Sequence, residues 1–255
     1  MILQLKKWLI KKQLSNREIL THNPLSIEAK HQEDRPYYND SSYFNGIDQQ
    51  GNFFLCRMSF RYQRSNEHWL EFYSPQHGLL RRLAPLGEEG EGFQQGSLRF
   101  EVLEPLKKCK IYYEGEMASA QKVHQVRIEL LFTAHTPMVD FQGAMILEET
   151  ADAIAKESWT ASFFDQLKEI KKMHFEQGGK LTGTISIDGQ VGQYNFYSMR
   201  DHSWGTRRWE DWKRHCWISG MLDNGDCINF SMIKYRFLGQ LAAGFYIKNG
   251  QINFL

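Results

Sequence analysis

KVHQVRIELLFTA, residues 122 to 134, is the stretch on which the fold turns. Within it RIELLF, residues 127 to 132, partly alternates apolar and polar side chains, as an antiparallel strand does with one face buried and the other in water. Similar strand-like runs come before it: NFFLCRMSFRYQ (52–63), EHWLEFYS (67–74), SLRFEVLE (97–104) and KKCKIYYEG (107–115). A loop with Gly87, Gly90, Gly92 and Gly96 separates the second from the third. Towards the C-terminus, Asp188-Gly189, Asn224-Gly225 and Asn249-Gly250 supply the positive φ values of type I′ hairpin turns. All six prolines lie at or before Pro137, which suits long ladders in the back half. One helix interrupts the pattern. From Ser158 to Gln177 the apolar residues Trp159, Phe163, Phe164, Leu167, Ile170 and Met173 recur at spacings of three and four, and Gly178-Gly179 is expected to end it as a left-handed cap. The fold class predicted is mainly β, an antiparallel barrel or half-barrels with one main helix.

Outside this region the signals weaken. MILQLKKWLIKKQL, residues 1 to 14, predicts a helix, but Lys6, Lys7, Lys11 and Lys12 break the apolar run too early for a secretory signal. The lysines do not gather on one face, so a frayed or partner-packed helix is favoured over weak contact with a membrane surface. Residues 15 to 42 are polar, carry Pro24 and Pro36 and show no period. They predict a linker or an extended arm over the surface, and residues 1 to about 40 as a whole are expected to pack poorly on the barrel and to be removable. The division expected is therefore 1–42, helix and linker, and 43–255, a β-rich domain. After Asn249-Gly250 only QINFL remains, an apolar strand that stops as it starts. An open sheet edge of that kind predicts a fragment or short isoform whose second half is incomplete.

Composition narrows the function without naming it. The 255 residues are 42% hydrophobic and 24% charged, ordinary values for a globular chain. Lys plus Arg is 31 against 30 for Asp plus Glu, and this balance argues against a nucleic-acid partner. Aromatic residues reach 14%, which favours strands around a large apolar interior. Cys56, Cys109, Cys216 and Cys227 form no CxxC pair, so reduced, mostly buried thiols and a cytoplasmic location are expected, with a Cys216–Cys227 bridge as the lesser alternative. The sequons at Asn39 and Asn229 are discounted, the second because it sits in a strand-like run. No apolar run reaches membrane-spanning length.

The densest group of chemically capable residues is MRDHSWGTRRWEDWKRHCW, residues 199 to 217. Asp201 and His202 would form an acid–base pair if both faced a cavity. Arg200, Trp204, Trp209, Trp212 and His215 are candidate ligand-binding residues, since indole faces stabilise cationic charge and an apolar wall raises a carboxyl pKa. A purely structural reading stands beside this one: Arg200 and Asp201 pairing at a strand end, and indoles filling a barrel mouth. Strand alternation predicts Arg200 on the face opposite Asp201, with Trp204 close to the acid. The histidines do not cluster, so no metal site is expected. GxxxxGK[ST], GxGxxG and GxSxG are all missing, so no cofactor is predicted and ATP binding is not expected.

Five segments carry a family resemblance: DSSYFNGIDQQGNFFLCRMSFR (40–61), SLRFEVLEPLKKCKIYYEG (97–115), ADAIAKESWTASFFDQLKE (151–169), HFEQGGKLTGTISIDG (174–189) and MRDHSWGTRRW (199–209). Together they resemble the N-terminal region of animal phosphoenolpyruvate-synthase-like proteins. In that family this region precedes an ATP-grasp domain and a phosphohistidine domain, and this sequence contains neither. The RDHSWG motif also looks like the lipocalin-like group of carotenoid hydratases and tocopherol cyclase. That likeness implies a lipocalin-like architecture of two related half-barrels and acid catalysis on a terpenoid or polyketide alkene. Three functions follow as expectations. The first is an accessory domain, which binds a hydrophobic small molecule or docks on the missing catalytic domains. The second is a hydratase- or cyclase-like enzyme with Asp201 as its acid. The third is part of an ATP-dependent phosphotransferase.

Overall fold

The computed structural model describes residues 1–15, 23–83, 87–170, 172–222 and 224–255. Along the chain come α1 (Ile2–Ser15), α2 (Pro24–Glu28), β1 (Tyr38–Ile47), β2 (Phe53–Arg61), β3 (Glu67–Ser74), β4 (Gly78–Arg82), β5 (Phe93–Gln95), β6 (Leu98–Glu104), β7 (Lys108–Ala118), β8 (Val123–Ala134) and β9 (Val139–Asp140). They are followed by α3 (Leu147–Lys156), α4 (Ala161–Glu169), β10 (Lys172–Ile187), β11 (Gln190–Thr206), β12 (Trp212–Met221), β13 (Cys227–Tyr235), β14 (Gln240–Lys248) and β15 (Gln251–Phe254).

The stretch quoted first is β8, and its alternation is real: His124, Val126, Ile128, Leu130 and Phe132 are buried while Gln125 and Arg127 face water. Each large apolar side chain buried in this way contributes roughly 1.5–3 kcal/mol. Eight antiparallel strands run β4-β3-β2-β1-β11-β10-β8-β7, and pairing of Arg81 with Ala118 and Arg82 with Met117 joins β4 back to β7. The chain is thus mainly β, a closed lipocalin-like barrel, with 55% strand and 17% helix. Phe54, Phe72, Phe132 and Phe196 are fully enclosed inside it, and Ile111, Ile128 and Leu181 pack in the same cluster. An eight-stranded barrel is just wide enough for side chains to fill. This one is filled.

A second antiparallel sheet, β12-β13-β14-β15, lies outside the barrel. Cys227, Ala243, Phe245 and Ile247 of this sheet pack with Val139 of β9 and with Met199 of the barrel wall. α3 sits against β14, where the Ile146 N–H donates to the Ala242 carbonyl at 2.9 Å. α1 packs on α3 through Ile10, with Lys7 pairing with Asp152 at 2.9 Å and Lys11 with Glu148. Two of the lysines that spoil the amphipathic pattern of α1, Lys7 and Lys11, therefore serve contacts with α3. Among the described residues no helix is long and apolar enough to cross a membrane.

Three expectations need correction. The single helix from 158 to 177 is a helix of nine residues that ends at Glu169, and the chain enters β10 at Lys172. Thr160 caps α4 by accepting from the Phe163 N–H at 3.1 Å. Beyond Ile170 the inward residues follow period two, and Met173 matches the helical spacing by coincidence. Gly178-Gly179 lies inside β10, where a Cβ on Gly179 would meet the Thr133 carbonyl oxygen at 2.3 Å; close strand approach, not capping, requires the glycine. α3 is a further helix, buried through Ala151, Ala153, Ile154 and Ala155.

The second correction concerns the arm. β1 begins at Tyr38, and the described segment before it, residues 23–37, is anchored. Asn23 caps α2 through the Leu25 N–H at 3.0 Å, and Ile27 is 2% exposed. The third concerns the turns. Asp188-Gly189 and Asn249-Gly250 take positive φ at both residues, but at Asn224-Gly225 only the glycine does, within a longer loop closed by the Leu222 N–H on the Asp226 carbonyl. All four cysteines are free; Cys216 is exposed and the other three are buried.

Candidate ligand cavity and the groups around it

β11 carries the Arg200–Trp204 group, and alternation divides it in two. Arg200, His202 and Trp204 turn to the barrel side. Asp201 turns outward to the second sheet, opposite Tyr43 on β1 and Glu176 on β10. Asp201 and His202 are successive residues of one strand and share no face, so the expected acid–base pair does not form.

His202 instead pairs with Asp40, Nε2 to Oδ1 at 2.7 Å, with both side chains buried. Asp40 also accepts the His31 backbone N–H. The His31 ring stacks on Trp204 at 4.0 Å, and burial lowers its pKa. Phe93 and Phe175 enclose His202 edge-on. Arg200 lies across Phe132 and Phe175 and donates to both oxygens of Glu28, at 2.7 and 3.2 Å, and to Gln177. Two buried polar knots therefore tie the 23–37 segment to the barrel. Asp40, Glu28 and His31 escaped the sequence reading because His202 and Asp40 are 162 residues apart and nothing local links them.

Trp209, Trp212 and His215 form a separate cluster. Trp209 lies 4.6 Å from Trp212, and Trp212 meets His215 edge-on at 5.1 Å. His215 reaches Ser231 at 3.3 Å on β13. Arg207 lies across Trp209 and Trp212 and donates to Ser203 at 2.9 Å; burial pulls its pKa down to about 10. None of these side chains reaches His202.

An apolar cavity of about 310 Å³ opens elsewhere, between the inner face of β13–β14 and the helices α1, α3 and α4. Ile154, Leu167, Ile170, Ile233, Leu238 and Leu241 are among its apolar walls. Gln13, Gln142, Thr150, Lys168, His174 and Ser231 are polar residues of the lining, and Tyr235 adds a phenol. Ile10, Gln13 and Phe164 also border a shallow groove beside α1, which marks the open side. His174 stacks on Phe141 at 4.5 Å, and its Nε2 lies 3.3 Å from Oε1 of Glu176. Glu176 is 1% exposed and accepts from the Asn229 amide. Burial, with Asp201 next to it, pushes the Glu176 carboxyl well above the usual carboxylate range. The sequence reading missed Glu176 because it sits in the stretch assigned to the helix. Of the sequence-predicted site residues, none lines this cavity. Among the described residues, no group of three or more His, Cys, Asp or Glu side chains is placed to hold a metal ion.

The comparisons with known proteins agree with this architecture. A Nitrosomonas europaea protein given as a candidate AttH matches in structure with a TM-score of 0.60 at 12% identity, over 93% of this chain and 72% of that one. At such identity the likeness is one of fold. No curated protein matches the sequence. A family described as a domain of unknown function, DUF7064, matches residues 25–254, a span that takes in the anchored segment, the barrel and the second sheet. The chain belongs to the DUF7064 family.

Proposed function

We propose that the protein binds a hydrophobic small molecule in the cavity between β13–β14 and the three helices. The observation that carries this is the cavity itself, about 310 Å³ and walled mainly by apolar side chains, beside a barrel whose own interior is packed with phenylalanines. Ligand pockets have this character: apolar walls with a few polar groups. Titration with the fluorescent apolar probe N-phenyl-1-naphthylamine tests it. Saturable binding at one site per chain is expected, weakened at least tenfold by Ala242→Leu or Ile233→Trp, both of which add bulk to the lining. No saturable binding, or binding untouched by both changes, refutes the reading.

Two finer readings have support of their own. The resemblance to phosphoenolpyruvate-synthase-like proteins makes the chain an accessory domain docked on catalytic partners. The second sheet supports it: β12 and β15 each pair on one side only among the described residues, and Ile218, Ile228 and Phe254 are exposed. The hydratase- or cyclase-like reading is supported by a buried acid close to an apolar cavity. That acid is Glu176, acting through His174, rather than Asp201. One exposed and three buried free thiols fit a reducing, cytoplasmic setting.

A further inference from the structure

α1 turns much of its charge inward and an apolar stripe to water. Lys6, Lys7, Ile10, Lys11 and Leu14 are the residues drawn in from solvent, with Lys7 and Lys11 held by Asp152 and Glu148 of α3. Ile2, Leu5, Trp8, Leu9 and Lys12 recur at spacings of three and four and so form one stripe along the helix. That stripe is the exposed one: Ile2 is 72%, Leu5 56%, Trp8 55% and Leu9 42% exposed. A surface helix ordinarily buries its apolar stripe, and exposed apolar side chains gathered in one patch mark an interaction site. The spread of lysines that argues against a membrane contact in the sequence is resolved by α3, which takes two of them to the inner side.

We propose that α1 seats the protein on an anionic lipid surface, with Ile2, Leu5, Trp8 and Leu9 entering the boundary between headgroups and acyl chains and Lys12 reaching the lipid phosphates. Charge decides for lipid over a protein groove. Lys12 lies in the stripe itself, its ammonium over the Trp8 ring at 5.3 Å. Lys6, at the edge of the stripe, donates to the Glu157 carbonyl at 2.8 Å. Neither lysine has a carboxylate partner among the described residues. A protein groove closing over the stripe would strip the water from the Lys12 ammonium, a costly step without a counter-ion. A headgroup layer supplies phosphates and lets the lysine stem lie along the apolar side chains. The Trp8 indole, apolar in body with one polar N–H, suits the same boundary. Leu9 and Lys12 also border the shallow groove on the open side of the cavity, so the seated helix brings that opening to the lipid. The contact does not depend on what the cavity holds.

The test is co-sedimentation of the full chain with two kinds of vesicle, phosphatidylcholine alone and phosphatidylcholine with about one-third phosphatidylserine, at about 0.1 M salt. Stronger binding to the mixed vesicles is expected. Changing Leu5→Glu and Leu9→Glu together should weaken it at least about tenfold, because two leucines no longer leave water. Both side chains are exposed, so the unfolding midpoint of this variant should match wild type, and lost binding is then not lost folding. Lys12→Gln should weaken binding to the mixed vesicles about fivefold, the worth of one basic residue at an anionic surface. No binding to the mixed vesicles overturns the proposal, as does equal binding to the two kinds. Binding that the double change leaves intact overturns it by placing the contact elsewhere on the surface. A midpoint several degrees lower in the double variant also overturns it, since the stripe would then be packed within the fold. Sedimentation velocity without vesicles separates the remaining occupant. A dimer that the double change dissociates would show that a second copy covers the stripe, and it too overturns the proposal.

Discussion

Replacing Glu28 with glutamine should cost about 3 kcal/mol, although Glu28 lies in a segment that reads as a surface linker. Its carboxylate accepts from Arg200 Nη2 at 2.7 Å, from Arg200 Nη1 at 3.2 Å and from the Leu106 N–H at 2.7 Å. The Arg200 and Glu28 side chains are 4% and 8% exposed. Breaking one partner of a buried ion pair strands the other charge and costs about 3–5 kcal/mol. Glutamine keeps one acceptor oxygen and so recovers roughly 1 kcal/mol. For a chain of this size the net loss lowers the unfolding midpoint by about 6–12 °C. Arg200→Met alone should cost a similar amount, since it strands Glu28. The double variant Glu28→Gln, Arg200→Met strands neither charge and should fall short of the summed costs by at least about 2 kcal/mol, a coupling typical of direct contact. Urea unfolding of the four proteins gives the cycle. A cost below about 1 kcal/mol for Glu28→Gln, or additive single changes, would refute the view that the 23–37 segment is part of the barrel's structure.

Glu176→Gln tests the buried acid near the cavity. Its folded pKa is raised, chiefly by burial, so the folded state holds the proton more tightly than the unfolded chain. That contribution is full below the ordinary value of 4.5 and is lost as pH rises from there towards the folded pKa. Urea unfolding at pH 5 and pH 8 should show wild type losing stability with rising pH more steeply than the Gln variant; parallel profiles would contradict the assignment. Gly183→Ala should cost about 2–3 kcal/mol, because the residue sits at φ +149 and a Cβ there would meet the Glu129 carbonyl oxygen at 2.1 Å. A neutral change in thermal unfolding would mean that β8 and β10 can separate at that point. In the native protein one thiol, Cys216, should react rapidly with dithionitrobenzoate. Burial holds Cys56, Cys109 and Cys227 as unreactive thiols until the chain unfolds, the last two with pKa values pushed up to about 12. Rapid titration of two or more thiols would contradict the packing.

The parts of this fold that were legible are those where one face of a strand is buried and the other wet. β8 alternates over its length, and EHWLEFYS coincides with β3 from Glu67 to Ser74. What was not legible depends on partners far away in the chain. His202 looked like the mate of Asp201 because the two are adjacent, yet strand alternation sends them to opposite faces and Asp40, on β1, supplies the carboxylate. The boundary between α4 and β10 was hidden because Met173 fits both periods. The polar arm concealed Ile27 and Glu28, two residues among many exposed ones, whose burial only the closed barrel creates.

The measurement that bears most directly on the account is methyl NMR with N-phenyl-1-naphthylamine added stepwise. The methyl groups of Ile154, Leu167, Ile170, Ile233, Leu238 and Leu241 line the cavity, whereas those of Ile111, Ile128, Leu130 and Leu181 fill the barrel. Site-specific binding predicts saturable shifts of the first set and none in the second. Shifts centred on the barrel methyls, or small unsaturable shifts spread over both sets, would contradict it.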